Sequence, residues 1–215
     1  MKSLHGIALM FVAMGSLQAQ SPNFGLQIRL GAPIGELREK IYPPNYDLSA
    51  EQIEGYDIGL GLQFTMSFPL HQKFAFRAGI GGMSTRGTNT ASGYDTIFLR
   101  HNMFSLSGEL QLFLQDAYRH QGTFLTVGIS GNFERFERSF EDNWSYSHYW
   151  YYPESDVTRK SRLGGIIGIG HTFYGHSNLN FTTELSYHHT LTNSNINRGE
   201  PPSANFFNIS FGLIF

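Results

Sequence analysis

Glu184, His188 and Thr190 have types and a spacing suited to acyl transfer. A histidine with a hydroxyl two residues on could act as its general base, and a carboxylate on the same side could orient the ring. On an extended strand, residues two apart share a face, so all three would point the same way. Threonine, however, stands in the serine position, and no surrounding motif completes a hydrolase. His171, His176, His188 and His189 raise the question of a metal site. Adjacent strand residues face opposite ways, so His188 and His189 do not share an ion, and no carboxylate at suitable spacing joins them. The glycines of Gly79-Ile80-Gly81-Gly82 lack the lysine and helix that a phosphate-binding loop needs. The chain has no cysteine, which excludes disulfides, thiolate metal sites and a cysteine nucleophile. These residues predict a protein that is not an enzyme and holds no metal or cofactor.

A second set of chemically active residues is more orderly. Arg29, Asp57, Arg77, Glu109, Glu134, Arg162 and Glu184 are spread along the chain, and each sits in a segment of alternating polar and apolar residues. In Tyr56–Phe68 one face carries Tyr56, Ile58, Leu60, Leu62, Phe64, Met66 and Phe68 while the other carries Asp57, Gly59, Gly61, Gln63, Thr65 and Ser67. Strict alternation is the signature of a half-buried strand. The pattern recurs over 24–32, 74–83, 98–114, 123–136, 162–173, 179–189 and 205–215, with Ile166 on the wrong face of its segment. Eight strands are therefore expected. Their links alternate in length: short at 69–73, 115–122 and 174–178, long at 33–55, 84–97, 137–161 and 190–204.

Those strands close most economically as an all-β, eight-stranded antiparallel up-and-down transmembrane β-barrel, with short turns and both termini at one end and long loops at the other. A water-soluble barrel would turn its apolar face inward, but here the polar set is too bulky and too charged for a dry core. An eight-stranded barrel is only wide enough inside for side chains. The seven charged residues are thus expected to form an ionic network that plugs the lumen, each charge offset by an opposite one because a lone desolvated charge costs several kcal/mol. Phe24, Phe68, Phe74, Phe124, Phe173 and Phe215 fall near the short-turn ends, as one aromatic girdle would. With 24 Gly, 15% charged residues and a net charge of −2, the chain lacks the basic surface that nucleic-acid binding needs.

The first residues combine Lys2, an apolar run from Ile7 to Met14 too short to cross a bilayer, and Gly15-Ser16-Leu17-Gln18-Ala19-Gln20. This predicts a signal peptide over residues 1–19, cut after Ala19, with the barrel domain over 20–215 and an outer-membrane destination after export. At the other end Phe207, Ile209, Phe211, Leu213 and Phe215 share one face. Phe211, Leu213 and the terminal Phe215 resemble the C-terminal signal read by the barrel assembly machinery, although Ser210 stands where that pattern often has glycine.

The sequence resembles the PorT-like outer-membrane β-barrel proteins. The resemblance rests on Ser16-Leu17-Gln18-Ala19-Gln20, on the strand opening Asn23-Phe24-Gly25, and on Tyr187-His188-His189-Thr190-Leu191-Thr192-Asn193, where His189 and Thr190 replace the family's usual glycine region. It implies fold and location, not a defined activity. The expected partners are outer-membrane lipid, the assembly machinery, and an extracellular protein or glycan. The surface for that last partner would be Trp144, Tyr146, Tyr149, Trp150, Tyr151 and Tyr152, since these rings combine area with hydrogen bonding. The simpler alternative is that they only anchor the rim in the headgroup layer. Two other functions compete: a lipid A acyl hydrolase built on His188, Thr190 and Glu184, and a narrow pore.

Overall fold

A computed structural model describes residues 22–37, 55–91, 95–142, 156–175, 179–191 and 203–215. Eight strands follow one another: β1 (Asn23–Ile34), β2 (Gly59–His71), β3 (Phe74–Ala91), β4 (Asp95–Phe113), β5 (Gly122–Asp142), β6 (Asp156–Phe173), β7 (Asn180–Thr190) and β8 (Asn205–Ile214). Each pairs antiparallel with its sequence neighbour, and β1 pairs with β8 to close the barrel in the order β1 to β8. Closure leaves no strand edge unpaired, the condition for a sheet to sit in a lipid environment. No helix among the described residues is long and apolar enough to cross a membrane.

The wall is inverted relative to a water-soluble protein. Ile28, Leu62, Phe64, Val127, Ile129 and Leu163 are each at least half exposed on its outer face. Gln27, Gln63, Arg77, Glu109, Asn132 and Glu184 are buried on its inner face. Period-2 alternation alone produces this arrangement: in β2 the burial pattern alternates strictly from Gly59 to Ser67.

Four strands are longer than their apolar alternation. β3 and β4 remain paired out to Ala91↔Asp95, and β5 and β6 out to Arg138↔Asp156. Residues 84–90 read Ser-Thr-Arg-Gly-Thr-Asn-Thr, polar on both faces, so the contrast that marks a strand vanishes while the hydrogen-bonded ladder continues. The link expected at 84–97 is thus largely hairpin arm, and the one expected at 137–161 is strand at both ends, over 137–142 and 156–161. β2 starts three residues later than expected, at Gly59, which places Tyr56 and Asp57 ahead of the strand. Ile166 does face inward, where it is 8% exposed, with no bulge in the β6 register.

Candidate functional site

The lumen is the one enclosed environment that the strands build, and side chains fill it in layers. At the short-turn end Ala75, Phe113, Ala117 and Phe124 form a buried cluster. Phe113 and Phe124 have ring centroids 5.2 Å apart, and His120, from the β4–β5 turn, stands edge-on to Phe113 at 5.4 Å. Burial and the nearby Arg77 charge push the His120 imidazole down to about 4, so the ring is neutral at pH 7. His120 also takes a positive φ of 46°, a backbone state that favours Gly or Asn.

The next layer is ionic. Arg77 and Glu109 are directly opposed on β3 and β4, which places guanidinium and carboxylate within reach by register alone. Arg77 Nε donates to Glu109 Oε2 at 2.8 Å, and Nη2 donates to the same oxygen. Arg77 Nη1 and Nη2 donate to the two oxygens of Glu184, from β7, at 2.7 and 2.9 Å. Ser107 Oγ donates to Glu109 Oε1 at 2.8 Å. Arg29 lies near enough for Glu109 and Glu184 to act on its charge, so two cations face two anions. Charge balance and bidentate geometry make such burial tolerable. Gly128, opposite Glu109 on β5, leaves the space: a Cβ there would lie 2.6 Å from Glu109 Cγ.

Higher in the lumen His188 Nε2 meets Ser130 Oγ at 2.9 Å and Asn132 Nδ2 at 3.1 Å. Arg162 Nη1 donates to Glu134 Oε2 at 3.1 Å, and the Arg162 guanidinium lies 5.7 Å from the Phe136 ring centroid. The far end is closed by a second apolar cluster of Leu37, Tyr56, Met83, Leu99, Phe136, Ala204 and Phe206. His101 stacks between Phe136 at 4.4 Å and Phe206 at 6.0 Å. Two of the voids lined by the described residues hold about 20 and about 10 Å³, each the size of about one water molecule.

The expected network is thus divided. Arg29, Arg77, Glu109 and Glu184 come together, while Glu134 and Arg162 form a separate pair closer to the long-loop end. Asp57 does not belong to either. It is exposed beyond the end of β2, and its backbone N–H donates to the Arg86 carbonyl at 2.7 Å. The reason is the late start of β2, without which the alternation would have carried Asp57 inward. By the same cause Tyr56 is buried in the far cluster, not on the apolar wall. Phe124 is also misplaced by the girdle expectation: it is 1% exposed, inward, because its neighbour Leu125 occupies the outer face. Phe24, Phe173 and Phe215 are exposed on the outside.

The acyl-transfer set does not assemble. Glu184 is committed to Arg77, and the Thr190 hydroxyl donates to the Ala204 carbonyl at 2.9 Å. His188 is buried and His189 exposed, on opposite faces of β7, and His171 pairs with Thr123 Oγ1 at 3.0 Å. Among the described residues no group of three or more His, Asp or Glu converges as metal ligands would. His176, the aromatic segment from Trp144 to Tyr152 (with Tyr146, Tyr149, Trp150 and Tyr151) and residues 1–19 lie outside the described residues. Phe211 and Phe215 are exposed on the outer face of β8 and its end, with Leu213 partly covered between them. The two aromatic end clusters were missed from sequence, although Phe113, Phe124, Phe136 and Phe206 each occupy an inward position once the register is counted through.

A family model for the outer membrane protein beta-barrel domain matches residues 18–195. Among solved structures, the crystal structure of Ail, the attachment invasion locus protein of Yersinia pestis, is similar at a TM-score of 0.51 and 12% identity, covering 91% of this chain and 100% of that one. Neisserial surface protein A is similar at a TM-score of 0.51 and 8% identity, covering 91% of this chain and 97% of that one. No curated protein matches the chain.

Proposed function

Because the chain belongs to the outer membrane protein beta-barrel domain family, we propose that it is a surface-display barrel: a rigid, side-chain-plugged anchor whose long-loop end contacts an extracellular protein or glycan. The observation that carries this reading is the filling of the lumen. Ionic and aromatic layers leave room for about one water molecule in each void, so neither solute flow nor chemistry on a substrate has space inside. Activity is then left to the end where the longest strands project.

Export follows from residues 1–19 acting as a signal peptide, with 20–215 as the barrel domain, and assembly from recognition of Phe211, Leu213 and Phe215. The contact surface is the segment between β5 and β6 that holds Trp144 and Trp150, whose neighbouring tyrosines supply further stacking area. Attachment, the role for which Ail is named, is the class of activity such a surface would serve.

The test is adherence of cells displaying the barrel to mucin-coated surfaces. Wild type should raise adherence several-fold above cells carrying no barrel, and W144A/W150A should abolish the gain while keeping the heat-modifiable gel mobility of a closed barrel. Equal adherence for wild type and variant refutes the role of this segment. Stepwise conductance of the wild-type protein in planar bilayers would refute the plugged lumen.

A further inference from the structure

Outward positions of the projecting hairpin arms carry arginine where the apolar wall ends. Arg86 on β3, Arg100 on β4, Arg135 on β5 and Arg159 on β6 are all exposed. Register makes them one band: Arg86 is directly opposite Arg100, and Arg135 is directly opposite Arg159. Glu137, opposite Arg100, bridges the two pairs by its ion pair with Arg135 at 3.3 Å. Asp57 is near Arg86 through its backbone bond. At this level four cations therefore meet two described carboxylates, and among the described residues only Arg135 of the four is ion-paired.

Like charges directly across a pair of strands are unfavourable, and here the arrangement occurs twice on neighbouring hairpins. An anion seated between each pair would turn both repulsions into attractions, and the planar guanidinium matches phosphate in bidentate fashion.

Height decides the source of that anion. A barrel strand climbs about 2.5 Å per residue along the membrane normal, given its rise and tilt. Arg100 is twelve residues from Leu112 on the same face of β4, hence about 30 Å above it, just past an apolar band about 25 Å tall. The Phe104 and Phe133 rings, 6.1 Å apart, mark the upper edge of that band directly below the arginines. The band faces sideways from the wall, and Phe98, also outward and 40% exposed, lies beyond Arg100. Such a position faces lipid headgroups, not the open medium above the barrel.

We infer that Arg86, Arg100, Arg135 and Arg159 form a binding band for phosphate-bearing lipid headgroups of net negative charge on the outer wall of β3 to β6. This goes beyond the surface-display reading, since it concerns the lipid around the anchor and not the loop partner. The band would orient the barrel and set how far its hairpins stand out of the membrane.

Native mass spectrometry of the folded protein released from nanodiscs of mixed phosphatidylglycerol and phosphatidylcholine tests it. Wild type should retain phosphatidylglycerol about ten-fold over phosphatidylcholine. R86Q/R100Q/R135Q/R159Q should lose that preference, and E137Q, which removes the bridging carboxylate, should increase it. Gel mobility verifies closure of each variant. Should the quadruple variant fail to fold, R86Q/R100Q and R135Q/R159Q are each expected to lose about half of the preference. Unchanged preference in the folded variants overturns the inference. So does arginine-dependent binding of heparin in pure phosphatidylcholine nanodiscs without phosphatidylglycerol preference, which would make the occupant a soluble polyanion.

Discussion

Replacing Arg77 by methionine tests how the lumen is held together. The side chain is 4% exposed and donates to both Glu109 and Glu184. With Arg77 present the layer has two cations and two anions; without it, two carboxylates face Arg29 alone. Methionine keeps most of the volume, so packing loss is small and the change is chiefly electrostatic. Removing one partner of a buried ion pair costs about 3–5 kcal/mol, because the other partner is left uncompensated. That corresponds to a decrease of roughly 150- to 4,000-fold in the folded-to-unfolded ratio. Adding Glu109→Gln restores a one-to-one balance between Arg29 and Glu184, so R77M/E109Q should be more stable than R77M by about 1–3 kcal/mol. The assay is urea unfolding of the barrel refolded into phosphatidylcholine vesicles, followed by the mobility shift between closed and open forms. If R77M unfolds within about 0.5 kcal/mol of wild type, or the second substitution adds its own full cost, the two-by-two charge account is wrong.

Two further substitutions probe the end clusters. His120 is neutral when folded, at about 4, against an ordinary value of 6.5. The unfolded chain therefore binds more protons between those values, and the stability contribution present above pH 6.5 is lost as pH falls toward 4, by up to about 3 kcal/mol. His120→Asn, which also suits the positive φ, should flatten the drop in urea midpoint between pH 7.5 and pH 4.5. At the other end Phe206 is fully buried against His101. Phe206→Ala should cost about 3–5 kcal/mol in the same titration yet create no conductance in planar bilayers, since the Arg77 layer still closes the lumen.

The legibility of this chain follows from what each signal measures. Period-2 alternation reports contrast between two faces, so it located every strand where lipid-side Leu, Ile and Phe oppose inward Gly, Ser and Thr. It lost the strands where the contrast ends, at Ser84 and at Glu137, although the ladders run on to Ala91 and Asp142. The charge pattern identified the members of the Arg77 layer because inward parity is fixed by register. It could not tell that Arg162 and Glu134 would stand apart, because axial height depends on strand stagger, which no single segment contains. Asp57 failed for a different reason: alternation carries on past the first residue of the ladder, and only the pairing with β1, which ends at Gly31↔Gly59, shows that β2 begins at Gly59.

The same limits explain the aromatic end clusters and what they do. Inward Phe113, Phe124, Phe136 and Phe206 break the rule that the inside is polar; from sequence Phe124 reads as girdle and the other three carry no assignment. In the barrel they lie at the two ends of the ionic core, where water would otherwise enter. Excluding water strengthens each charge pair between them, because Coulomb attraction grows as the local dielectric falls. The Arg77 guanidinium is 6.0 Å from the Phe124 ring centroid and the Arg162 guanidinium 5.7 Å from that of Phe136, so each aromatic end also attracts its nearest cation directly. Apolar ends and ionic middle are thus mutually dependent. A barrel built that way is held in shape by its own inward side chains, which is what the surface-display proposal asks of it.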